Sequence, residues 1–320
     1  MDLLKDIFIE PFVLMADIPD LFIQTVWEGF VSGTLYALVA LGFVLIYKAS
    51  GVFNFAQGIM VVFAALALVS LHQAGVPAIL ALLITIGIMA LLAVGIEGLV
   101  LRKLVNQNDA ILLMATIGLT LFLKGLGEFV FGGEPKPMIT KELGLPTGVT
   151  DWEPFDGAWR VTFQHLDIAA VIIAALLVAG LAVFFSKTRI GRALRAVADD
   201  HQAALSVGIS LNQIWAIVWF AAGVVALVTG IMWGARSDVS FALEIIALKA
   251  LAVLILGGFT SIPGAIVGGL IIGIGEKVFE VYWGGLFGGG VEAWFAYVLA
   301  LIFLLFRPQG LFGEKIIERV

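Results

Sequence analysis

The sequence predicts an all-α, polytopic transmembrane helix bundle of eight to ten spans with broken, Gly-rich helices. Composition is the first observation. Of 320 residues, 61% are hydrophobic and 13% charged, with a mean hydropathy of +1.09. A soluble domain is about 45–50% apolar and about 25% charged. Second, the apolar residues form long continuous runs, whereas barrel strands would alternate every second residue. Third, two glycine-bracketed polar segments interrupt those runs. Composition excludes a water-soluble globule, a disordered chain and a nucleic-acid binder, since 18 Lys+Arg stand against 24 Asp+Glu. With no cysteine, disulfides, Cys-based metal sites and thiol nucleophiles drop out. His72, His165 and His201 are too scattered for a short metal motif.

A helical span needs about 20 mostly apolar residues. Candidates occur at 21–47, 55–71, 77–100, 110–131, 167–185, 212–234, 243–258, 262–283 and 292–306. The first twenty residues carry Asp2, Asp6, Glu10, Asp17 and Asp20 against Lys5, unlike the basic start of a secretory signal. Basic residues gather at Arg102 and Lys103, at Lys187, Arg189, Arg192 and Arg195, and at Arg307, Lys315 and Arg319. Nine spans put these on one side, and the positive-inside rule makes it cytoplasmic, with the C-terminus. The N-terminus and the loops 132–166, 235–242 and 284–291 then face outward. Trp27, Trp159, Trp233, Trp283 and Trp294 fall near span ends, as interfacial tryptophans do. Residues 1–320 read as one transmembrane domain, with an outer loop at 132–166 and a cytoplasmic loop at 186–210. No glycine precedes a lysine, so there is no Walker A motif, and any ATP must be bound elsewhere.

The first interruption is Gly51-Val52-Phe53-Asn54-Phe55-Ala56-Gln57-Gly58. Backbone that leaves the helix at membrane depth must be buried in protein or line a wet cavity. Asn54, Gln57 and Gly58 therefore read either as a tight turn between spans or as part of a polar path. The second interruption is Gly257-Gly258-Phe259-Thr260-Ser261-Ile262-Pro263-Gly264. Pro263 disfavours helix at Ile262, so the chain breaks there. Gly264, Gly268 and Gly269 then give one helix a small-residue face suited to close packing. Gly257, Gly258, Ser261, Pro263 and Gly264 read either as packing or as solute contact. Ala37-Leu38 and Ala40-Leu41 recur as Ala247-Leu248 and Ala250-Leu251, each before a break. This faint echo suggests two halves running parallel.

The 186–210 loop contains an amphipathic helix over 192–205. Arg192, Arg195 and Asp199 share one face, and Leu194, Val197, Ala198 and Leu205 supply apolar surface. Gly208 is a plausible stop. Such a helix lies on headgroups or docks into a partner. Its mixed charge, three Arg before Asp199 and Asp200, favours a protein partner. Inside the membrane, Lys249 is costly and must face the bundle or a wet cavity. Glu244, five residues earlier, points to another face. Glu97 and Glu276 are possible partners across helices, and Glu97 has the option of snorkelling to the interface. Lys249 reads as a structural counter-ion or as a solute or gating residue.

Together these segments resemble permease subunits of branched-chain amino acid (Liv-type) ABC importers, from about Gly29 to the C-terminus. The carriers are Gly33-Thr34-Leu35-Tyr36-Ala37-Leu38-Val39-Ala40-Leu41-Gly42, Asn54-Phe55-Ala56-Gln57-Gly58, and Arg189-Ile190-Gly191-Arg192-Ala193-Leu194-Arg195-Ala196 with Asp199 to Gly208-Ile209. Lys249-Ala250, Leu256-Gly257-Gly258 and Ser261-Ile262-Pro263-Gly264-Ala265 with Gly268-Gly269 follow, then Arg307-Pro308-Gln309-Gly310-Leu311-Phe312-Gly313. Many relatives have His where Gln57 stands. The run Gly284 to Gly290 and the acidic N-terminus depart from the pattern.

The resemblance implies a transport subunit of the bacterial inner membrane, not an enzyme and without a cofactor of its own. Its implied partners are a homologous second permease, two cytoplasmic ATPases that bind ATP and Mg, and a soluble solute-binding protein. The 192–205 helix would be the coupling helix, with Arg192, Arg195, Asp199 and Asp200 in contact with the ATPase and Arg189 and Gly191 setting the turn before it. The two broken segments would line or gate the path. Solutes compatible with the resemblance are branched-chain or related amino acids, or else urea, short amides or other small acids. A secondary transporter would need carboxylates at mid-span, a passive channel would need no coupling helix, and a membrane enzyme would need a polar cluster that the chain lacks.

Overall fold

The computed structural model describes residues 5, 7–104, 107–154, 159–199 and 201–313. Apolar chain in lipid must satisfy its own backbone groups, and a helix forms within each of the nine apolar segments. A short α1 (Glu10–Asp17) leads into α2 (Pro19–Ser50), 32 residues long. Then come α3 (Gln57–Gln73), α4 (Ala78–Leu99) and α5 (Asp109–Phe131), the last capped by Asn108 Oδ1 on the Ile111 N–H. An antiparallel hairpin, β1 (Val149–Trp152) and β2 (Val161–Gln164), precedes α6 (His165–Lys187). The remainder is α7 (Arg189–Asp199), α8 (His201–Ser206), α9 (Leu211–Ser237), α10 (Ile245–Gly257), α11 (Ile262–Trp283) and α12 (Phe295–Phe306).

Among the described residues, six helices are long and apolar enough to cross a membrane: α2, α4, α5, α6, α9 and α11. The other three, α3, α10 and α12, have 17, 13 and 12 residues. A 3-10 turn at Phe241–Glu244 precedes α10, so the expected helix over 243–258 is shorter than its apolar run.

Contacts define the two ends. At one end Lys136 and Val239 exchange backbone hydrogen bonds of 2.9 and 2.8 Å. Lys136 Nζ reaches Ser70 Oγ at 2.8 Å, the Thr162 N–H donates to Gln24 Oε1 at 2.9 Å, and Trp283 Nε1 donates to the Ile7 carbonyl at 3.0 Å. The N-terminal segment and the 132–166 and 235–242 loops thus share an end, as expected. At the other end Trp215 Nε1 donates to the Ala49 carbonyl at 3.1 Å, and Phe259 lies 5.4 Å from Tyr47. The basic segments around Arg102, Arg189–Arg195 and Arg307 gather there. Lys315 and Arg319 lie outside the described residues.

The long α2 is the axis of the bundle, packed most extensively on α11 and also on α9, α10 and α6. Gly29 and Gly33 of α2 face Gly269 and Gly273 of α11. A Cβ on Gly33 would stand 2.6 Å from the Gly269 carbonyl oxygen, and one on Gly29 2.6 Å from Ile274 Cα. The small-residue stripe of α11 is therefore split. Gly264 and Gly268 face Gly257 and Val253 of α10, while Gly269 and Gly273 face α2. Such small-xxx-small contacts bring backbones together where lipid supplies no hydrophobic drive. Both α2 and α10 run towards the same end, in keeping with a parallel echo.

The expected helix over 192–205 is described as α7 and α8, with Asp200 between them outside the described residues. Its first part starts earlier, at Arg189, because Thr188 Oγ1 caps it by accepting the Gly191 N–H at 3.1 Å.

Candidate functional site

The chain leaves α2 at Gly51, whose φ of +68° is the left-handed conformation that ends a helix cheaply only with glycine. It then turns back into the bundle. Gln57 lies against Gly42, where any Cβ would collide with its amide. Gly42 precedes Ser50 by about 12 Å of helix, so α3 starts at depth. Asn54 Oδ1 accepts the Ala56 N–H at 3.1 Å, and its Nδ2 points at Met60 Sδ at 3.6 Å. Gln57 Nε2 donates to the Ala222 carbonyl at 3.4 Å, while its Oε1 has no partner among the described residues. Both side chains are fully buried. Thr116 on α5 donates to the freed Phe53 carbonyl at 3.1 Å. Gly58, in the first turn of α3, sits against Ala247 and lines a groove between α3, α5 and the start of α10.

The second break is a tight α10–α11 hairpin. The backbones of Gly257 and Gly264 touch, and Gly258 has φ +103°. Ser261 Oγ accepts the Gly264 N–H at 3.0 Å, and Pro263, in the first turn of α11, forfeits a donor that has no helical partner there. The tail completes the hairpin. Leu311 N–H donates to the Leu256 carbonyl at 2.8 Å and Phe312 N–H to that of Gly257 at 3.1 Å. The Arg307–Gly313 motif is therefore a clasp over the carbonyls that α10 leaves unpaired. The sequence of the motif gives no sign of this use, because its donors are the backbone N–H groups of Leu311 and Phe312.

Lys249 finds Glu276. Its Nζ lies 3.0 Å from Glu276 Oε2 and 3.1 Å from the Tyr36 hydroxyl, which itself donates to Glu276 Oε1 at 2.6 Å. Glu276 is 0% exposed and Lys249 15%. Tyr36 stacks on Trp233 with centroids 5.5 Å apart. This triad ties α2, α10 and α11 together. Glu97 does not snorkel. It is buried, and the Asn212 amide, oriented by its neighbours, donates to its Oε1 at 3.3 Å and accepts from Arg102. Glu244 pairs with Lys124 of α5 at 2.9 Å. Lys124 is absent from the sequence expectations, and its signal is that it is the lone lysine inside the apolar run 110–131.

In the 186–210 loop, Leu194 and Val197 are buried against the bundle, and Arg189, Arg192 and Arg195 are exposed. Gly191 abuts the Phe185 carbonyl so closely that a Cβ would collide. Arg195 Nη1 donates to that carbonyl at 2.7 Å, closing the end of α6. Gly208 ends α8 with φ +82°, and the Ile209 N–H donates to the Ala204 carbonyl at 3.0 Å. Only the backbone of Asp199 is described, and Asp200 lies outside the described residues.

A membrane-embedded bundle with two glycine-bracketed breaks, buried counter-ions and an amphipathic helix held against one end defines a transport permease. Residues 25–307 match the family described as branched-chain amino acid transport system, permease component, and the chain belongs to that family. It is 28% identical over 312 residues to the high-affinity branched-chain amino acid transport system permease protein BraD of Pseudomonas aeruginosa, covering 93% of this chain and 98% of that one. It is 27% identical over 318 residues to the corresponding LivH of Escherichia coli K12, with the same coverage. To the probable branched-chain amino acid transport permease LivH of Methanocaldococcus jannaschii it is 28% identical over 302 residues, 92% of this chain and 94% of that one. The chain is thus a multi-pass inner-membrane transport subunit.

Proposed function

We propose that this chain is one of two permease subunits of an ATP-driven importer that carries branched-chain or related small amino acids into the cytoplasm. The observation that carries the reading is the mounting of α7. Its apolar side is fixed to the bundle and its arginines face outward, at the end where the basic segments gather. That is the arrangement of a lever between a membrane domain and a soluble motor. Two ATPases binding ATP and Mg would seat on Arg189, Arg192 and Arg195 and on the Asp199–Asp200 region, with Gly191 and Gly208 fixing the two ends of the loop. This end, with the C-terminus, is cytoplasmic, and the chain crosses the membrane nine times, α3, α10 and α12 doing so together with the breaks and 3-10 turns that adjoin them. A solute-binding protein would deliver solute at the opposite end, where the hairpin stands. A homologous permease would complete the path.

ATP-driven closure pulls on α7 and, through α6 and α2, on the bundle. Asn54, Gln57 and Gly58 in one break, and Gly257, Gly258, Ser261, Pro263 and Gly264 in the other, act as joints beside the path. Small-residue contacts let helices shift as bodies there. Lys249 with Glu276 serves as a brace. The test is purification of the tagged chain from its native membrane in gentle detergent, read by mass spectrometry. Two ATPases and a second permease are expected. A chain that stays alone after cross-linking would contradict the assembly.

A further inference from the structure

The groove between α3, α5 and the start of α10 has a volume of about 600 Å³, within the usual small-molecule range of about 300–1,000 Å³. On α5, Ile117, Leu121, Lys124 and Glu128 follow at three- and four-residue spacing, which is one face of a helix. Facing them are Glu244 and Leu248, with Phe55 and Gly58 at the inner limit. Glu128 is near the outer end of α5, and Gly58 belongs to the first break, so the groove leads from outside to a joint.

Lys124 lies about 10 Å inside the outer end of α5. Its side chain is 39% exposed and that of Glu244 26%. Of two further pairs that involve the apolar helices, Lys249–Glu276 is hidden at 15% and 0%, and Lys277–Glu292, near the end of α11, is open at 25% and 34%. A charge left to lipid costs about 2.5–3.5 kcal/mol at a span centre. An ion pair kept open at depth therefore faces water or a neighbouring protein chain rather than lipid.

Resting on the permease reading above, we propose that this groove is a station on the solute path that holds an amino-acid zwitterion. Lys124 receives the carboxylate, and Glu244 with Glu128 receives the ammonium. Both solute charges sit on one carbon, so a neighbouring cation and anion meet both by opening their own pair. Phe55, Ile117, Leu121 and Leu248 offer apolar wall to a branched side chain.

The test uses the whole complex in liposomes, with the wild type first shown to take up leucine with ATP. Absence of that uptake would defeat the permease reading, not the groove alone. The exchanged pair, Lys124→Glu with Glu244→Lys, keeps an ion pair and reverses its polarity. Uptake at least tenfold below wild type is expected in complexes that still carry their partners. Uptake within twofold of wild type would make the pair a mere brace and overturn the proposal. If the exchanged pair fails to assemble, Leu248→Cys decides. The chain has no native cysteine, so this thiol is the only one on it, and labelling is read on the separated chain. A charged, water-soluble thiol reagent should label it, and excess leucine should slow labelling severalfold. No labelling with or without ATP would mean that lipid or a partner covers the groove, and would overturn the proposal.

Discussion

The backbones of Gly33 in α2 and Gly273 in α11 touch: a Cβ on Gly273 would collide with the nitrogen and Cα of Gly33. Overpacking such a contact costs about 1–3 kcal/mol or more. Gly273→Leu should lower the melting temperature of the detergent-solubilised protein and cut the folded yield. Gly180→Ala in α6, where nothing lies within 4 Å, should leave both unchanged. Equal behaviour of the two variants would show that the α2–α11 contact is not tight.

Lys249 and Glu276 should behave as a structural pair. Removing one partner of a buried pair costs about 3–5 kcal/mol, whereas replacing both with apolar groups is often neutral. Glu276→Gln should therefore melt early, and Lys249→Met with Glu276→Met should recover much of the loss. If the double variant folds well but transports nothing, the pair serves transport itself.

The arginines of α7 divide by role. Arg195 holds the Phe185 carbonyl, while Arg192 is exposed one helical turn earlier. Arg192→Glu should leave the melting temperature unchanged and release the ATPase from the purified complex. Arg195→Glu should do both kinds of damage, since it also leaves the end of α6 uncapped. Normal ATP-driven uptake by both variants would remove α7 from coupling.

The β1–β2 hairpin predicts a pH response. Arg160, first, and Thr162, second, hydrogen-bond Asp151 and hold its carboxyl below the ordinary range. A lowered carboxylate pKa stabilises above the unfolded value, about 3.9, and the benefit disappears as pH falls through the folded value. Amide protection in β1 and β2 should thus be flat from neutral pH to about 5 and fall only in stronger acid. Asp151→Asn should loosen the hairpin at neutral pH and flatten the response. Protection lost near pH 6 would implicate another group.

Apolar runs and punctuation made the helices legible, because in lipid a run of twenty apolar residues has few alternatives to helix. Gly51, Gly258 and Pro263 act where local backbone rules put them, whereas the Thr188 cap, which starts α7 at Arg189, was not read from the sequence. Long-range pairing was not legible. Glu276 was one of two partners open to Lys249, and only the crossing of α10 and α11 selects it. Lys124 was passed over within its apolar run, and its importance comes from Glu244, which is remote in sequence. The clasp by Leu311 and Phe312 uses backbone donors, and these carry no side-chain signature. The split stripe of α11 needed three-dimensional placement, since Gly264, Gly268, Gly269 and Gly273 look alike in sequence.

ATP-dependent uptake tests the central claim most directly. The complex purified through this chain is placed in liposomes with its ATPases facing out and its solute-binding protein and labelled leucine inside. Adding ATP and Mg outside should move leucine out of the lumen, which corresponds to import, and Arg192→Glu should abolish that movement. Leucine movement at the same rate without ATP would contradict the account and make the chain a channel or a secondary transporter.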